Sequence, residues 1–158
     1  MDDAPTTLTP FAELSAHELY DLLRLRSEVF VVEQDCVYQD LDGLDAAALH
    51  LRISRAGELQ AYARLLAPGL VHACDCSIGR VVVSPRARGR GYGRRLVAEG
   101  ISACRERWPR TDIVIHAQTY LLEFYGSLGF VVEGAGYLED GIPHHTMRLR
   151  SDANAVQT

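Results

Sequence analysis

Lysine is absent from the 158 residues of this chain, so all 16 of its basic residues are arginines. The absence excludes an enzyme lysine, whether as a Schiff base or as the phosphate-binding lysine of a Walker A loop. No apolar run approaches the ~20 residues that a membrane span needs. The formal net charge of -5 also disfavours general nucleic-acid binding, which requires a broad basic face. We therefore expect a soluble, cytoplasmic protein without a membrane or nucleic-acid partner.

The four cysteines, Cys36, Cys74, Cys76 and Cys104, include no pair with C-x-x-C spacing. This pattern favours free thiols in a reducing compartment over a disulfide framework. The stretch "HACDC" brings His72 close to two of the cysteines, but a fourth zinc ligand at a useful spacing is missing. The sequence therefore predicts no metal site.

The composition is that of an ordinary globular protein, with 47% hydrophobic and 23% charged residues. A chain of this length suits one compact domain that buries roughly 70% of its unfolded surface. We expect a single domain over residues 1–158, with an ordered core at about residues 8–150 and a frayed tail from Ser151.

The first half of the chain predicts a helix followed by strands. Ser15 and Glu18 form the S-x-x-E capping box of a helix start. Apolar residues then recur at helical spacing from Leu19 to Phe30, with Arg26 at the edge of the apolar face. "LHLRIS" and "LQAYARLL" flank a glycine turn and predict an antiparallel hairpin. The valine run of "IGRVVVS" predicts a further strand that is buried on both faces.

The second half alternates helices with strands. A helix is predicted from Gly93 until Pro109 stops it. "DIVIHA" reads as a strand, and "TYLLEFYGSL" as a short helix that Gly129 closes. "FVVEGAGYL" and "HHTMRLR" predict two strands joined by a turn at Asp140-Gly141. This order predicts an α/β (α+β) fold, a mixed sheet with helices on both faces.

The stretch "RARGRGYGRR", residues 86–95, concentrates five arginines and three glycines between the valine strand and a helix. A helix N-terminus presents backbone N–H groups and the positive end of the helix dipole, which together bind phosphate. The glycines permit positive φ angles and leave the amides unobstructed. The dinucleotide fingerprint GxGxxG fails, because the sixth position counted from Gly89 is Arg94. The loop still predicts a phosphate site.

Arg88, Gly91 and Gly93 fit the pattern (Q/R)xxGx(G/A), and "FYGSLGF", residues 124–130, follows one strand after the loop helix. Both motifs resemble those of the GNAT superfamily of acetyl-CoA-dependent N-acetyltransferases. "VFVVEQ", "YQDLDG", "IGRVVVSP", "HAQ" and "EDGIPHHTM" follow in the order typical of its ElaA-like branch, so the similarity covers roughly residues 10–150. The resemblance implies the GNAT fold, with a mostly antiparallel mixed sheet of about seven strands.

The resemblance also implies the reaction, which is transfer of an acetyl group from acetyl-CoA to a primary amine in a ternary complex, without a metal. The amide of Val83 would donate to the thioester carbonyl, while Val81 and Val82 would line the pantetheine channel. The diphosphate would lie on the main chain of the glycine loop, formed by Arg88, Gly89, Arg90, Gly91, Tyr92, Gly93 and Arg94.

Two side chains complete the implied cofactor site. Tyr125 stands where the family often has its general acid, and a phenol of pKa ~10 stays protonated at neutral pH yet can donate to a departing thiolate of pKa ~8.5. A tyrosine that only packs over the cofactor is the alternative. Gln118 stands where many members carry an asparagine that bonds the pantetheine amide, and its extra methylene changes the reach.

The general base stays open among three residues. Glu33 is the first choice, because it lies in a mixed polar and apolar segment that should border the acceptor site, and His116 and His144 are the alternatives. Further acidic side chains expected near the acceptor would attract a cationic amine, although such residues also serve turn geometry. They are Asp40, Asp42, Glu139 and Asp140.

Two other functions compete with N-acetyl transfer. A catalytically silent acyl-CoA-binding or regulatory domain would keep the fold and leave Tyr125 inert. A nucleic-acid-binding domain would use the arginine loop, but the acidic net charge and the shortage of aromatics beyond Tyr92 disfavour it. For the enzyme, we expect a small or polyamine-like amine as acceptor, with a peptide amine as the rival. By resemblance alone, we also expect a homodimer.

Overall fold

The computed structural model describes residues 4–155. Within this range, seven strands form one sheet in the order β1-β2-β3-β4-β5-β7-β6. Neighbouring strands are antiparallel except β4 and β5, which are parallel. The predicted mixed, mostly antiparallel sheet is therefore confirmed. The strands are β1 (Thr6–Pro10), β2 (Leu49–Arg55), β3 (Glu58–Leu66), β4 (Cys76–Val83), β5 (Ile113–Gln118), β6 (Val131–Glu139) and β7 (Ile142–Leu149).

Helices cover both faces of the sheet, as predicted. One face packs against α2 and α3 through the larger apolar core, which includes Leu65, Leu96 and Ile115. The other face packs against α1 through a smaller cluster that includes Leu22 and Tyr62. The helices are α1 (Ala16–Arg26), α2 (Tyr92–Arg107), α3 (Leu122–Gly126) and α4 (Asp152–Ala155).

The start of α1 follows the predicted capping box. The Ser15 hydroxyl accepts a hydrogen bond from the Glu18 amide at 3.1 Å, and the Glu18 carboxylate accepts one from the Ser15 amide at 2.8 Å. After Arg26 the chain continues as a π-helical segment, Ser27–Glu33. Arg26 was predicted at the edge of the apolar face, but it is fully buried. This prediction was wrong because two carboxylates from a later loop accept its guanidinium inside the fold.

The second half of the fold matches the predicted order, with small shifts. α2 begins one residue before the predicted Gly93, and α3 is preceded by a single 3-10 turn, Thr119–Leu121. Asp140 and Gly141 have φ angles of 49° and 76°, as a two-residue type I′ hairpin turn requires. Strand β1 was not predicted; it is a short edge strand of mixed polarity that pairs with β2.

Two further expectations need correction. The tail was expected to fray from Ser151, and residues 156–158 of it lie outside the described residues. In the described part Ser151 is buried, and its amide and the Asn154 side chain both donate to the Asp112 carboxylate, at 2.8 and 2.9 Å. Strand β4 was expected to be buried on both faces, but Val81 and Val83 are only half-buried. No helix within residues 4–155 is long and apolar enough to cross a membrane.

Candidate active site

Strands β4 and β5 diverge and leave a wedge in the middle of the sheet. Within the described residues they pair at two positions, Cys76 with Ile113 and Ser77 with Val114. Yet β4 runs on to Val83 and β5 to Gln118. The last residues of both strands therefore face an opening in the sheet instead of each other.

A β-bulge in β4 lies just beyond the last of these pairs. Arg80 and Val81 together oppose a single residue of β3, Ala63. Arg80 adopts a left-handed conformation with a φ of 51°. A bulge bends its strand and increases the local twist, so its position accounts for the separation of β4 from β5.

The main chain of β4 presents an amide to the wedge. The N–H of Ser84 donates to the Gln60 carbonyl of β3 at 2.8 Å. Because hydrogen-bonding groups alternate between the two sides of a strand, the N–H of Val83 points to the other side, toward the wedge. This is the amide that the family resemblance assigns to the thioester carbonyl.

The glycine loop lies between β4 and α2. Gly89 and Gly91 have φ angles of 78° and 79°, and a Cβ atom built on either would meet no atom within 4 Å. The first bond of α2 runs from the Arg95 amide to the Gly91 carbonyl at 3.1 Å, so the amides of Gly93 and Arg94 have no acceptor within the helix. The glycine at the N-cap adds no side chain that could accept from them. An open, donor-rich helix N-terminus of this kind fits a diphosphate.

Two arginines at the sides of the loop have protein partners. A guanidinium nitrogen of Arg88 lies 2.7 Å from a carboxylate oxygen of Glu33, and both side chains are roughly half-exposed. Arg94 donates to the Ser127 hydroxyl at 2.5 Å and lies over the Phe124 ring. Arg94 thereby connects the start of α2 to α3, while Glu33 connects the π-helical segment to the loop.

Tyr125 lies in α3 and is 6% exposed. Its ring packs edge-on against Phe124 and Phe130, with centroid distances of 5.0 and 6.0 Å. Burial, with a smaller contribution from Tyr120, raises the pKa of the Tyr125 phenol to about 12. The hydroxyl therefore stays protonated throughout the physiological pH range.

The β5 side of the wedge carries Gln118 and His116, two residues apart and hence on one face of the strand. Gln118 donates to the Gln34 side chain at 3.3 Å, directly after the π-helical segment. His116 contacts the Tyr137 hydroxyl through Nδ1 at 2.7 Å and the His72 ring through Nε2 at 3.2 Å. Sequence reasoning missed Tyr137 and considered His72 only for zinc, because these residues reach His116 from β6 and from the β3–β4 connection, which only the tertiary fold brings together.

The turn between β6 and β7 borders the same face. His144, which pairs with Gln118 across the sheet, is buried and lies 3.6 Å from the Glu139 carboxylate. The main-chain carbonyl of Asp140 accepts from the Cys36 thiol at 3.4 Å. The segment after α1 is thus tied to both Gln118 and this turn.

Asp40 and Asp42 do not supply the free negative charge that was expected near the acceptor. Asp40 accepts from Arg26 at 2.9 Å and from Arg80 at 2.7 Å, while Asp42 accepts from Arg64. The surrounding arginines compensate the two carboxylates, so this expectation was wrong. Of the four acidic residues expected there, Glu139 has a carboxylate that is half-exposed.

No group of three or more histidine, cysteine or acidic side chains within residues 4–155 is placed to hold a metal ion. The "HACDC" stretch lies in the β3–β4 connection, where Cys74 is exposed and Cys76 is buried.

The wedge, the glycine loop and the seven-strand order are those of a CoA-dependent acyltransferase fold. Comparison with known proteins identifies the family. The acetyltransferase (GNAT) domain family matches residues 15–151. The chain belongs to this family, and within it the chain is ElaA-like. It is 43% identical to Protein ElaA of Escherichia coli over 135 residues, which cover 84% of this chain and 88% of that protein.

Similar solved structures support the same family and fold. An acyl-CoA N-acyltransferase from Pseudomonas aeruginosa superposes with a TM-score of 0.88 at 46% identity, covering 93% of this chain and 99% of that one. Escherichia coli ElaA superposes with a TM-score of 0.87 at 39% identity, with the same coverage. The predicted family and fold are confirmed, and the chain is a CoA-dependent acyltransferase.

Proposed function

We propose that this chain transfers the acetyl group of acetyl-CoA to a primary amine, by direct attack in a ternary complex. The observation that carries the proposal is the wedge between β4 and β5, which ends at an open glycine loop on the N-terminus of α2. One long phosphorylated thioester fits both features at once. Family membership favours acyl transfer over the silent CoA-binding alternative.

The main chain does most of the proposed binding. The loop from Arg88 to Arg94 would hold the diphosphate, with its arginines adding positive charge at the rim. Val81 and Val82 would line the pantetheine arm, and Val83 would donate its wedge-facing amide to the acyl carbonyl. Gln118, at the end of β5 on the other side of the wedge, would hydrogen-bond a pantetheine amide. To do so, its side chain would exchange the hydrogen bond that it now donates to Gln34 at 3.3 Å.

Tyr125 is the proposed acid. Its pKa of about 12 exceeds that of a thiol at ~8.5 by roughly 3.5, so complete proton transfer from the free-protein phenol to a thiolate is uphill. Tyr125 would therefore stabilise the departing sulfur mainly by donating a hydrogen bond as negative charge develops.

The proposed base is Glu33, with His116 and His144 as the alternatives, and the surroundings of Glu33 and His116 differ. Glu33 holds Arg88 at 2.7 Å, so its carboxylate would have to leave Arg88 to reach the acceptor amine. His116 lies on the acceptor face without an ion pair to release. Comparison of Glu33→Gln with His116→Gln on one amine separates the two residues.

The acceptor is proposed to be a small or polyamine-like primary amine. On the acceptor face the Tyr137 and His144 rings stack on each other, and the half-exposed Glu139 carboxylate lies beside His144. A carboxylate and an aromatic ring face both attract a cationic amine. A homodimer stays an expectation, which light scattering tests.

Calorimetric titration with acetyl-CoA and CoA, followed by thiol release over a panel of small amines, polyamines and peptides, tests the proposal. We expect saturable binding of both and thiol release with at least one primary amine. Tyr125→Phe should lower turnover at least ~10-fold with little change in acetyl-CoA affinity, whereas Tyr20→Phe, on the surface of α1, should not. Binding without thiol release on any amine would favour the silent domain instead.

A further inference from the structure

Three side chains on the acceptor face form a continuous hydrogen-bonded chain. The Tyr137 hydroxyl lies 2.7 Å from Nδ1 of His116, and Nε2 of His116 lies 3.2 Å from Nε2 of His72. Tyr137 is in β6, His116 in β5 and His72 in the β3–β4 connection. Both ring nitrogens of His116 are thus engaged, one on each side.

The two imidazoles meet head to head. Their planes differ by 18° and their centroids are 5.3 Å apart, which is close to the nitrogen–nitrogen distance plus the two ring radii. The two Nε2 atoms therefore face each other, so that an N–H on one ring can donate to the lone pair of the other. Two imidazoles that bind one metal ion direct their lone pairs at a common point between more widely separated nitrogens. The observed geometry therefore favours an N–H···N hydrogen bond over metal binding.

The chain begins next to the wedge and runs along the outer face of the sheet, where His116 is itself exposed although both of its ring nitrogens have partners. Tyr137 pairs with His144, and His144 pairs with Gln118 at the end of β5, so one row across the sheet leads from the wedge to the Tyr137 ring. His72 lies at the far end in a surface loop and is half-buried. Its second ring nitrogen, Nδ1, is the atom from which a proton can pass on to water.

We infer that Tyr137, His116 and His72 carry the proton of the acceptor ammonium to solvent, an inference that rests on the proposed acetyl transfer. The ammonium gives its proton to the Tyr137 oxygen as the Tyr137 proton moves to Nδ1 of His116. The Nε2 proton of His116 moves to Nε2 of His72, and the Nδ1 proton of His72 leaves to water. One proton enters and one leaves, each ring exchanges tautomers, and the amine becomes a neutral nucleophile.

The charges around His116 suit this role. The groups that face it are His72 from the β3–β4 connection, Tyr137 and Glu139 from β6, and His144 from β7. Desolvation, followed by the neighbouring His72 ring, lowers the pKa of His116 below its ordinary value, and Glu139 opposes this shift. The lowered pKa favours the neutral form of His116, which a relay that must accept a proton requires.

Steady-state kinetics on the amine that the panel identifies, with spermidine as the first probe, test the path. We expect His116→Gln to lower kcat on the order of 100-fold while the KM for acetyl-CoA stays unchanged. His72→Gln and Tyr137→Phe should each lower kcat about 10-fold, and imidazole added to the buffer should restore part of the His72→Gln loss. His17→Gln, on the exposed surface of α1, is the matched control and should leave kcat unchanged.

A second measurement needs no substrate. Because His72 depresses the pKa of His116, His72→Gln should raise that pKa in an NMR titration of the imidazole C–H signals. An unchanged pKa of His116, or His72→Gln and Tyr137→Phe enzymes with wild-type kcat and pH profile, would overturn the path. A large loss in Glu33→Gln with none in His116→Gln would also overturn it, in favour of the carboxylate. If CoA binds but no amine releases thiol, the proposed function fails first, and the path fails with it.

Discussion

Replacing Glu33 with glutamine should tighten the binding of CoA. In the free protein Glu33 holds the guanidinium of Arg88, the first residue of the glycine loop, at 2.7 Å. A diphosphate seated on that loop would compete for the same guanidinium. Glu33→Gln removes the competing charge while keeping the size and shape of the side chain, so binding no longer has to break an ion pair.

The size of the effect follows from the exposure of the pair. The Arg88 and Glu33 side chains are 46% and 42% exposed, and ion pairs at such surfaces contribute about 0.2–1 kcal/mol. Since 1.4 kcal/mol corresponds to tenfold in affinity, the dissociation constant of CoA should fall about 1.4-fold to 5-fold. The difference should shrink at high ionic strength, because salt screens exposed charges.

Calorimetric titration of CoA at low and high salt measures this change. Glu28→Gln is the matched control, because it removes the same charge from the same π-helical segment at another exposed position. Arg88→Gln should weaken CoA binding, and adding Glu33→Gln to it should have no further effect, since the pair is already broken. A Glu33→Gln variant that binds CoA more weakly than the wild type, or no more tightly than Glu28→Gln does, would show that Glu33 does not compete with CoA for Arg88.

Two further predictions concern the buried ion pairs behind the site. Arg26→Ala should lower the free energy of unfolding in urea by about 3–5 kcal/mol, because it empties a fully buried position and takes one arginine partner from Asp40 and one from Asp45. Arg24→Ala on the exposed side of α1 should change it by less than about 0.5 kcal/mol. Burial raises the pKa of Asp42 and Asp45, but hydrogen bonds from Arg64 and Arg26 respectively outweigh it and hold both pKa values below the ordinary value. The two ionised carboxylates therefore stabilise the folded protein fully above about pH 4, and this contribution is lost as the pH falls further. Between about pH 7 and about pH 3 the melting temperature of Asp42→Asn should therefore fall less than that of the wild type.

The sequence predicted those parts of the fold that depend on neighbouring residues. The capping box of α1 involves residues three apart, and the glycine loop depends on φ angles that its own glycines permit. The Asp140-Gly141 turn is equally local. Such signals are visible without knowledge of the tertiary structure.

The parts that failed depend on residues distant in the chain. Arg26 meets Asp40 fourteen residues later, and nothing in its own helix distinguishes a buried arginine from one at the edge of an apolar face. The expectation that Asp40 would attract the acceptor failed for the same reason. Likewise, His116 meets His72 of the β3–β4 connection and Tyr137 of β6, which lie 44 and 21 residues away in the chain.

A calorimetric titration of CoA into the wild type and into Gly91→Val tests whether the glycine loop binds the diphosphate. Gly91 has a φ of 79°, where a β-branched residue is strained, so the substitution distorts the loop without touching the wedge. We expect saturable 1:1 binding to the wild type and at least ~10-fold weaker binding to a folded Gly91→Val variant. Equal affinity in both, or no heat with the wild type, would contradict the claim that the loop amides seat the CoA diphosphate.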